Sequence, residues 1–250
     1  HNVLFGGIAA FGRVINRLYE NRNHDIHSNG EYWLIRQLAS LNPGVIFDVG
    51  ANTGKYCELL MQCCPQSRIY CFEPVTKTFE ILRSNVKRDT VEFIKKGLYS
   101  ENKKLTIHIY PSHTHASLFE LKAVPYQSVG SEDIDLVRGD DFVAEHNIGS
   151  IDLLKLDIEG AELDALKGLQ KTFAHQKIRM VQFEYGYINI TTKNLLIDYY
   201  DFFKSVGYVV GKLYPRSVDF RDYQFKHEDF IGPNFVAVRK DDHPILRLLS

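Results

Sequence analysis

The chain has 250 residues, 44% of them hydrophobic, so residues 1–250 are long enough to bury a full core as a single domain. Its 30 basic residues nearly balance its 31 acidic ones, which excludes a field of one sign that would gather nucleic acid or an anionic membrane by charge alone. The sequence has no apolar run of the roughly 18 to 20 residues that a membrane span needs and no signal-peptide pattern, which predicts a cytoplasmic protein.

The first 44 residues form a predicted helical leader. Apolar residues recur with helical spacing over residues 3–20 and 30–41, and the triplet Asn42-Pro43-Gly44 ends the second helix. A continuous apolar run then begins at Val45, as expected for a strand that is buried on both faces. The predicted core therefore starts at residue 45.

Strands and helices alternate through the predicted core, residues 45–240. Strands are predicted over 45–49, 68–72, 91–95, 105–110, 151–156, 179–183, 207–210 and 234–239, and helices over 55–64, 77–86, 140–146, 161–173 and 194–205. This alternation predicts a Rossmann-like α/β fold with helices on both faces of a seven-stranded, mostly parallel sheet whose last strand is antiparallel. Residues 105–135 are predicted as an inserted strand followed by hairpins or loops.

The first strand of this core runs into the loop FDVGANTG, residues 47–54. A strand that turns through glycines into a helix is typical of a nucleotide-cofactor site, because a Cβ would obstruct the close approach of backbone to ligand. The loop lacks the G-x-G-x-x-G spacing that places a pyrophosphate on a helix N-terminus. It therefore predicts a cofactor without phosphates.

S-adenosyl-L-methionine, whose product is S-adenosyl-L-homocysteine, fits this loop. Asp48 can hold its amino group directly or through water, and Asn52, Thr53 or the loop amides can hold its carboxylate. Gly50 and Gly54 are the predicted points of close backbone approach.

A second acid, Glu73, ends the second strand nineteen residues after Gly54, about the distance that a doubly wound fold needs to complete a helix and return. Its carboxylate can accept both ribose hydroxyls. Pro74 then fixes the chain direction beside the adenine. Gly97 and Leu98, near the end of the third strand, are further candidates to border the adenine. Asp157, after a later strand, completes the predicted cofactor contacts.

Three acids follow the strand 151–156, namely Asp157, Glu159 and Glu162. Strand ends at this edge of a parallel sheet face the ligand crevice, so Asp157 and Glu159 are expected to face the transferable methyl group. Glu162 is partly explained as an acid in the first turn of a helix. Because close carboxylates repel one another, a cation, a proton or a network of substrate hydroxyls must compensate.

The chain resembles the FkbM family of class I methyltransferases in the strings FDVGANTG, FEPV, LLKLDIEGAE and FEYG, over about residues 42–239. The resemblance implies the class I methyltransferase fold and O-methylation of sugars, polyketides or related natural products. It also implies cofactor contacts at Asp48, Gly50, Asn52, Gly54 and Glu73, and active-site roles at Asp157, Glu159 and Glu184. Residues 112–130 match the family poorly, so the resemblance does not identify the acceptor.

Methyl transfer to a hydroxyl needs an oxygen aligned about 3 Å from the methyl group and a group that accepts its proton. Asp157 is the first candidate for this base, with Glu184 as its partner or replacement. Alternatively, Asp157, Glu159 and Glu184 collect a divalent cation that prefers oxygen ligands. We do not favour a metal, because nothing in the sequence fixes its geometry.

Three residues are candidate contacts for the acceptor. His113 and His115 lie near the expected mouth of the site, although a His-x-His pair in a loop is also an ordinary solvated feature. Tyr185 can stack on the face of a sugar.

Other function classes are weaker on this sequence. A nicotinamide-dependent oxidoreductase would need the missing third glycine, and a methyltransferase acting on nucleic acid is opposed by the charge balance and by the lack of an Asn-Pro-Pro-Tyr type motif. A cofactor-binding scaffold without turnover is opposed by the retention of Asp48, Glu73, Asp157 and Glu184.

The predicted partner is a small, sugar-like hydroxyl acceptor. The leader and residues 214–230 are candidates for a lid or a homodimer contact.

Overall fold

The computed structural model describes residues 3–111, 116–120 and 127–250. The strands of the described residues are β1 (Val45–Val49), β2 (Arg68–Phe72), β3 (Val91–Ile94), β4 (Gly97–Tyr99), β5 (Lys103–Ile109), β6 (Ala116–Ser117), β7 (Gly130–Arg138), β8 (Ile151–Leu156), β9 (Ile178–Glu184), β10 (Tyr208–Tyr214), β11 (Ser217–Phe220) and β12 (Asn234–Arg239).

Helices separate most of these strands. They are α1 (Val3–Tyr19), α2 (Glu31–Ala39), α3 (Lys55–Cys63), α4 (Thr76–Asn85), α5 (Gly139–Glu145), α6 (Glu162–Gly168), α7 (Gln170–Ala174), α8 (Ile188–Thr192), α9 (Leu196–Ser205) and α10 (His243–Leu249), with a short 3-10 turn at Phe225–His227. The predicted leader helices are therefore confirmed as α1 and α2. The predicted helix 161–173 is divided into α6 and α7.

The main sheet has the strand order β11-β10-β12-β9-β8-β1-β2-β3 in the described part of the chain. Its central strands, β9, β8, β1, β2 and β3, are parallel to their neighbours in this run, whereas β12 is antiparallel to both β9 and β10. The Rossmann-like sheet with a reversed last strand is thus confirmed. The sheet has one strand more than predicted, because β11 pairs with β10 at the edge.

Residues that alternate along β1 explain why helices cover both faces of this sheet. Phe47 and Val49 belong to the core on one face, which also contains Phe142 and Phe173 from α5 and α7. Ile46 points to the opposite core, which contains side chains of α2, α3, α4 and α10. Successive side chains of a strand alternate between faces, so an apolar run of this kind requires cover on both sides.

The inserted region forms a second sheet with the order β4-β7-β5-β6 among the described residues. The long strand β7 pairs antiparallel with β5 and parallel with β4. Loops or hairpins are predicted over most of this region from the sequence. Strand β7 was missed because exposed acids alternate with buried positions such as Ile134 and Leu136, and that pattern reads as a polar loop when its partner is unknown.

The two leader helices differ in how they are packed. Every described side chain of α1 is exposed, including Phe5 and Phe11, whereas α2 buries Leu34, Ile35 and Leu38 against the core that contains α3. None of the helices in the described residues is long and apolar enough to cross a membrane.

Candidate functional site

A cavity of about 590 Å³ opens at the carboxyl ends of four adjacent parallel strands, β2, β1, β8 and β9. Its volume lies within the range of about 300–1,000 Å³ that is usual for small-molecule sites. The chain leaves β1 towards β2 on one side and reaches β8 on the other, which is the switch point where ligands bind to open α/β sheets. Of the residues selected from the sequence, the wall contains Gly50, Asn52, Thr53, Glu73, Pro74, Asp157, Glu159 and Glu184.

The loop after β1 forms one wall of the cavity and is fixed by local bonds. Gly50 has a φ of +80°, and a Cβ there would lie 1.9 Å from the backbone oxygen of Asp157. Asn52 has a positive φ of 52°, and its side-chain oxygen accepts a hydrogen bond from the Thr53 amide at 2.7 Å. Only glycine therefore allows the loops after β1 and β8 to approach this closely.

Gly54 has a different role from the one predicted. It lies outside the described cavity wall and has a φ of +96°, and a Cβ there would lie 2.8 Å from the side chain of Val86. The Asn85 side-chain amide donates to the Thr53 backbone oxygen at 2.9 Å. Gly54 therefore allows the start of α3 to pack against α4, rather than allowing backbone to approach a ligand.

Glu73 lies in the cavity wall at the end of β2 and is 6% exposed. One carboxylate oxygen accepts from the Asn52 amide at 3.1 Å, and the other accepts from the Val75 amide at 3.0 Å. Burial raises the pKa of Glu73 to about 7, against the lowering effect of these two bonds. Each oxygen keeps a second lone pair for a ligand hydroxyl.

Gly97 and Leu98 are not in the described cavity wall. They belong to β4, and Leu98 is 2% exposed within the core on the α5 side of the main sheet. A Cβ at Gly97 would lie 2.6 Å from the Leu136 side chain of the inserted sheet. The prediction that these two residues border the adenine is corrected, because the chain turns from β3 into the second sheet.

Asp48 is fully buried and lies behind the cavity wall, so the structure offers no direct contact between its carboxylate and a ligand in the cavity. The Nζ atom of Lys155 lies 3.4 Å from Asp48 Oδ1 and 3.2 Å from Asp157 Oδ2. Neither carboxylate oxygen of Asp48 accepts a well-aligned hydrogen bond from a described residue. Lys155, rather than a ligand, therefore faces Asp48.

Lys155 is the buried centre of the site. Its side chain, on β8, is 5% exposed and lines the cavity, and its Nζ atom lies 5.1 Å from the centre of the Tyr56 ring. Burial disfavours its charged form, but the charges of Asp157, Asp48 and Glu31 outweigh this effect and raise the pKa of Lys155. The ammonium group therefore stays protonated between two carboxylates.

Asp157, Glu159 and Glu184 form an acidic cluster on the opposite side of the cavity from Glu73. Burial, followed by the charges of Asp157 and Glu162, raises the pKa of Glu159 to about 8, against the lowering effect of the Lys155 charge. Burial also raises the pKa of Glu184 well above its usual range, followed by the charges of Asp157, Glu159 and Glu162. Protons thus compensate much of the repulsion that the sequence predicted.

Glu162 is 1% exposed and organises the backbone between Asp157 and α6. Its carboxylate accepts from the Ile158 amide at 2.9 Å and from the Gly160 amide at 3.1 Å. Burial raises its pKa to about 7, although these bonds lower it. These hydrogen bonds hold the turn that contains Glu159, a residue with a positive φ of 52°.

Tyr185 lies outside the described cavity wall and is fully buried. Its hydroxyl donates to Glu228 at 2.5 Å, and its ring packs against Phe230. Although Tyr185 directly follows Glu184, alternation along the chain directs its side chain into the core, so the predicted stacking on a substrate is corrected. His113 and His115 lie outside the described residues.

Several wall residues were not recognised in the sequence. They are Tyr56, Lys155 and, from the leader, His24, Asp25, Ile26, His27 and Glu31. Lys155 had a signal, since a lysine inside a fully buried strand must be paired. The leader residues had none, because only tertiary packing brings them to the strand ends.

No group of three or more His, Cys, Asp or Glu side chains in the described ranges has an arrangement that could hold a metal ion.

The fold and the cavity at its switch point define a Rossmann-like cofactor-binding protein, and comparison with known proteins identifies its family. The methyltransferase FkbM domain model matches residues 48–210, which is more than half of the chain. The chain belongs to the FkbM methyltransferase family.

Individual relatives agree with this assignment. The chain is 31% identical to Methyltransferase 1 of Beauveria bassiana over 143 residues, covering 50% of this chain and 57% of the relative. It is 28% identical to the 2-O-methyltransferase NoeI of Sinorhizobium fredii (60% and 68% coverage) and 30% identical to the hexuronic acid methyltransferase AglP of Haloferax volcanii (55% and 54%). The matches thus span about half to two thirds of the relatives' length.

A solved structure supports the fold. The crystal structure of a methyltransferase FkbM from Methylobacillus flagellatus has a TM-score of 0.51 and 17% identity, covering 78% of this chain and 43% of that one. At this identity the likeness concerns the fold alone.

Proposed function

We propose that the protein is an S-adenosylmethionine-dependent O-methyltransferase that acts on a hydroxyl of a small, sugar-like molecule. The observation that supports this most is the cavity itself, in which Glu73 and the loop of Gly50 and Asn52 face the acidic cluster of Asp157, Glu159 and Glu184. We assign the donor to the first of these walls and the acceptor to the second.

The charges of the wall suit a donor that carries two cationic groups and no phosphate. Five carboxyl groups line the described cavity besides Asp25, from Glu31, Glu73, Asp157, Glu159 and Glu184, while Lys155 is the buried cation among the described wall residues. A sulfonium and an ammonium group favour the ionised state of such carboxyls, whereas phosphates would be repelled. Glu73, with one free lone pair on each oxygen, suits a ribose diol.

When bound, S-adenosylmethionine supplies an electrophilic methyl group and becomes S-adenosylhomocysteine. Asp157 is the candidate base, because its side chain is 46% exposed towards the cavity and is paired with Lys155 at 3.2 Å. As the new O–CH₃ bond forms and the S–CH₃ bond breaks, the hydroxyl proton passes to the Asp157 carboxylate. Glu184, whose raised pKa keeps it protonated, hydrogen-bonds to Asp157 and orients it.

The acceptor class is proposed from relatives together with the site. One relative is called a 2-O-methyltransferase and another a hexuronic acid methyltransferase. A polar cavity with several carboxyl groups is suited to an acceptor with several hydroxyls, because charged hydrogen bonds to hydroxyls are strong.

The test combines calorimetry with a transfer assay. We expect S-adenosylmethionine and S-adenosylhomocysteine to bind, and radiolabelled methyl groups to be transferred to methyl glycosides of glucuronic acid or glucose but not to RNA or DNA. Glu73→Gln should weaken donor binding about tenfold, because it loses a charged hydrogen bond. Asp157→Asn should bind the donor normally and lose turnover at least a hundredfold.

Three results would contradict this proposal. Donor binding without transfer to any glycoside would indicate a scaffold without turnover. Transfer to nucleic acid would change the acceptor class, and absence of donor binding would refute the proposed cofactor.

A parallel assay with a chelator tests whether a divalent metal takes part. Pairing of two chains also stays a prediction, which light scattering measures.

A further inference from the structure

One wall of the cavity comes from the leader, outside the part of the chain that matches the family model. The described leader residues in this wall are His24, Asp25, Ile26, His27 and Glu31, whereas the family match begins at residue 48. The core that the family shares therefore does not by itself form this wall.

Glu31 is the deepest polar group of the leader wall and is held on two sides. Its Oε2 accepts from the Asn29 side-chain amide at 2.7 Å, and its Oε1 accepts from the Gln182 amide at 2.6 Å. Asn29 and Gln182 are both 1% exposed. The Glu31 carboxylate is therefore fixed by buried partners rather than by solvent.

Gln182 is itself fixed, so that its amide must point at Glu31. Its side-chain oxygen accepts from the Tyr56 hydroxyl at 2.7 Å, which leaves the NH₂ group for Glu31 and for Asn234 at 3.2 Å. A carboxylate that is oriented by such a shell is preorganised for a ligand. Each of its oxygens uses one lone pair on an amide and keeps another.

Glu31 lies on the β8–β9 side of the cavity, which carries the acidic cluster. Its partner Gln182 is on β9, in register with Lys155 of β8, whereas Glu73 follows β2, two strands beyond β8 in the sheet. Burial raises the pKa of Glu31, while Asn29 and the charge of Lys155 lower it and the charge of Asp157 raises it again. The charges that act on Glu73 are those of Lys155 and Asp48 instead. Glu31 is thus an electrostatic neighbour of the candidate base.

We propose that Glu31 is a specificity-determining residue that accepts a hydrogen bond from a second hydroxyl of the acceptor while the first hydroxyl lies at Asp157. This inference rests on the proposed methyl transfer and restricts its acceptor to molecules with at least two hydroxyl groups. The leader then contributes to selection of the acceptor as well as to the fold.

The test measures binding to the protein loaded with S-adenosylhomocysteine, using methyl glucuronide, methyl glucoside and their monodeoxy analogues as probes. Glu31→Gln keeps the shape of the side chain and removes its charge. We expect this variant to bind the best glycoside about tenfold to a hundredfold more weakly and to bind one deoxy analogue as the wild type does. Glu145→Gln, which changes an exposed acid of α5 outside the described wall, is the control.

A second variant separates recognition from folding. Glu31→Asp keeps the charge and withdraws the oxygens by one methylene group, so acceptor affinity should fall while the affinity for S-adenosylhomocysteine stays within about twofold. Equal losses on every deoxy analogue, or weaker cofactor binding in either variant, would overturn the proposed role of Glu31. If the wild type binds the cofactor but no glycoside, both the role of Glu31 and the proposed sugar-like acceptor are refuted. If the wild type does not bind the cofactor, the methyltransferase proposal itself is refuted.

Discussion

At the scale of single residues, Lys155 decides the electrostatics of the site. It is the buried cation within reach of both Asp48 and Asp157, at 3.4 and 3.2 Å, and it also lies 3.4 Å from the Gly50 backbone oxygen. A buried ion pair contributes little net stability, yet removing one partner is costly because the other charge stays in the interior. Asp48 is therefore tolerated in the core only because Lys155 faces it.

Replacement of Lys155 by methionine tests this dependence. We expect Lys155→Met to lower the free energy of unfolding by about 3–5 kcal/mol, because Asp48 loses its counter-charge. Urea denaturation measures the loss. Lys55→Met, at an exposed position of the same cavity wall, should change stability by about 0.5 kcal/mol or less.

A second substitution checks the cause. Adding Asp48→Asn to Lys155→Met should recover part of the lost stability, because no unpaired charge is then left in the core. If Lys155→Met unfolds at the same urea concentration as the wild type, the ion pair does not have this role.

At the scale of elements, the site depends on where parallel strands end. Acids at the ends of β1, β2, β8 and β9 were predicted to converge, and those of β2, β8 and β9 do line one cavity. The acid of β1 points behind it instead, since Asp48 lies on the face of the strand that carries Ile46. The alternation of side chains thus decides which strand-end acid reaches the ligand.

Gly50 allows two of these strand ends to meet. Gly50→Ala should lower the free energy of unfolding by about 1–3 kcal/mol and weaken donor binding at least tenfold, because its φ is +80° and the added Cβ would lie 1.9 Å from the Asp157 oxygen. Chemical denaturation and calorimetry measure these changes. Gly149→Ala, where a Cβ would have no neighbour within 4 Å, should be nearly neutral in both assays.

Normal donor binding by Gly50→Ala would mean that the loops after β1 and β8 can separate without loss of the site, and the assignment of Gly50 to the cofactor wall would then be wrong.

At the scale of the whole molecule, the concentration of buried acids couples folding to pH. Burial is the first cause that raises the pKa of Glu73 and Glu162 to about 7 and that of Glu159 to about 8. The folded protein then binds more protons than the unfolded chain between about pH 4.5 and 8. Stability from these groups is complete at low pH and is lost as the pH rises through this window.

We therefore expect the Tm of the donor-free protein to fall as the pH rises from 5.5 to 8. Each of these carboxyls contributes up to about 1.4 kcal/mol per pH unit within its own window. S-adenosylmethionine should raise the Tm more at pH 8 than at pH 6, because its cationic groups stabilise the ionised carboxyls. Thermal scans over this range test both effects.

Glu159→Gln provides the comparison for this series, since it removes the carboxyl with the highest pKa of the three and should flatten the dependence of the Tm above pH 7. A Tm that rises with pH in the donor-free wild type would contradict the proposed protonation of the cluster.

Local sequence patterns were sufficient to predict the order of the main strands and helices along the chain, the turn after β1 and the acids at the strand ends. These are local features, since periodicity and spacing record which positions must be buried and where the chain must turn. The strings that resemble the FkbM family lie at those same turns, and this resemblance added the class of reaction to the prediction.

Which of these residues line the same cavity wall became visible with the folded arrangement of the chain. This arrangement brought Glu31 and the leader to the cavity, placed Lys155 in front of Asp48, and turned Tyr185, Gly97 and Leu98 away from it. The physical reason is that these outcomes depend on contacts between residues far apart in the chain, such as Glu31 with Gln182, which no local pattern records. Strand β7 shows the same limit, because its polar residues form a strand only when β5 is beside it.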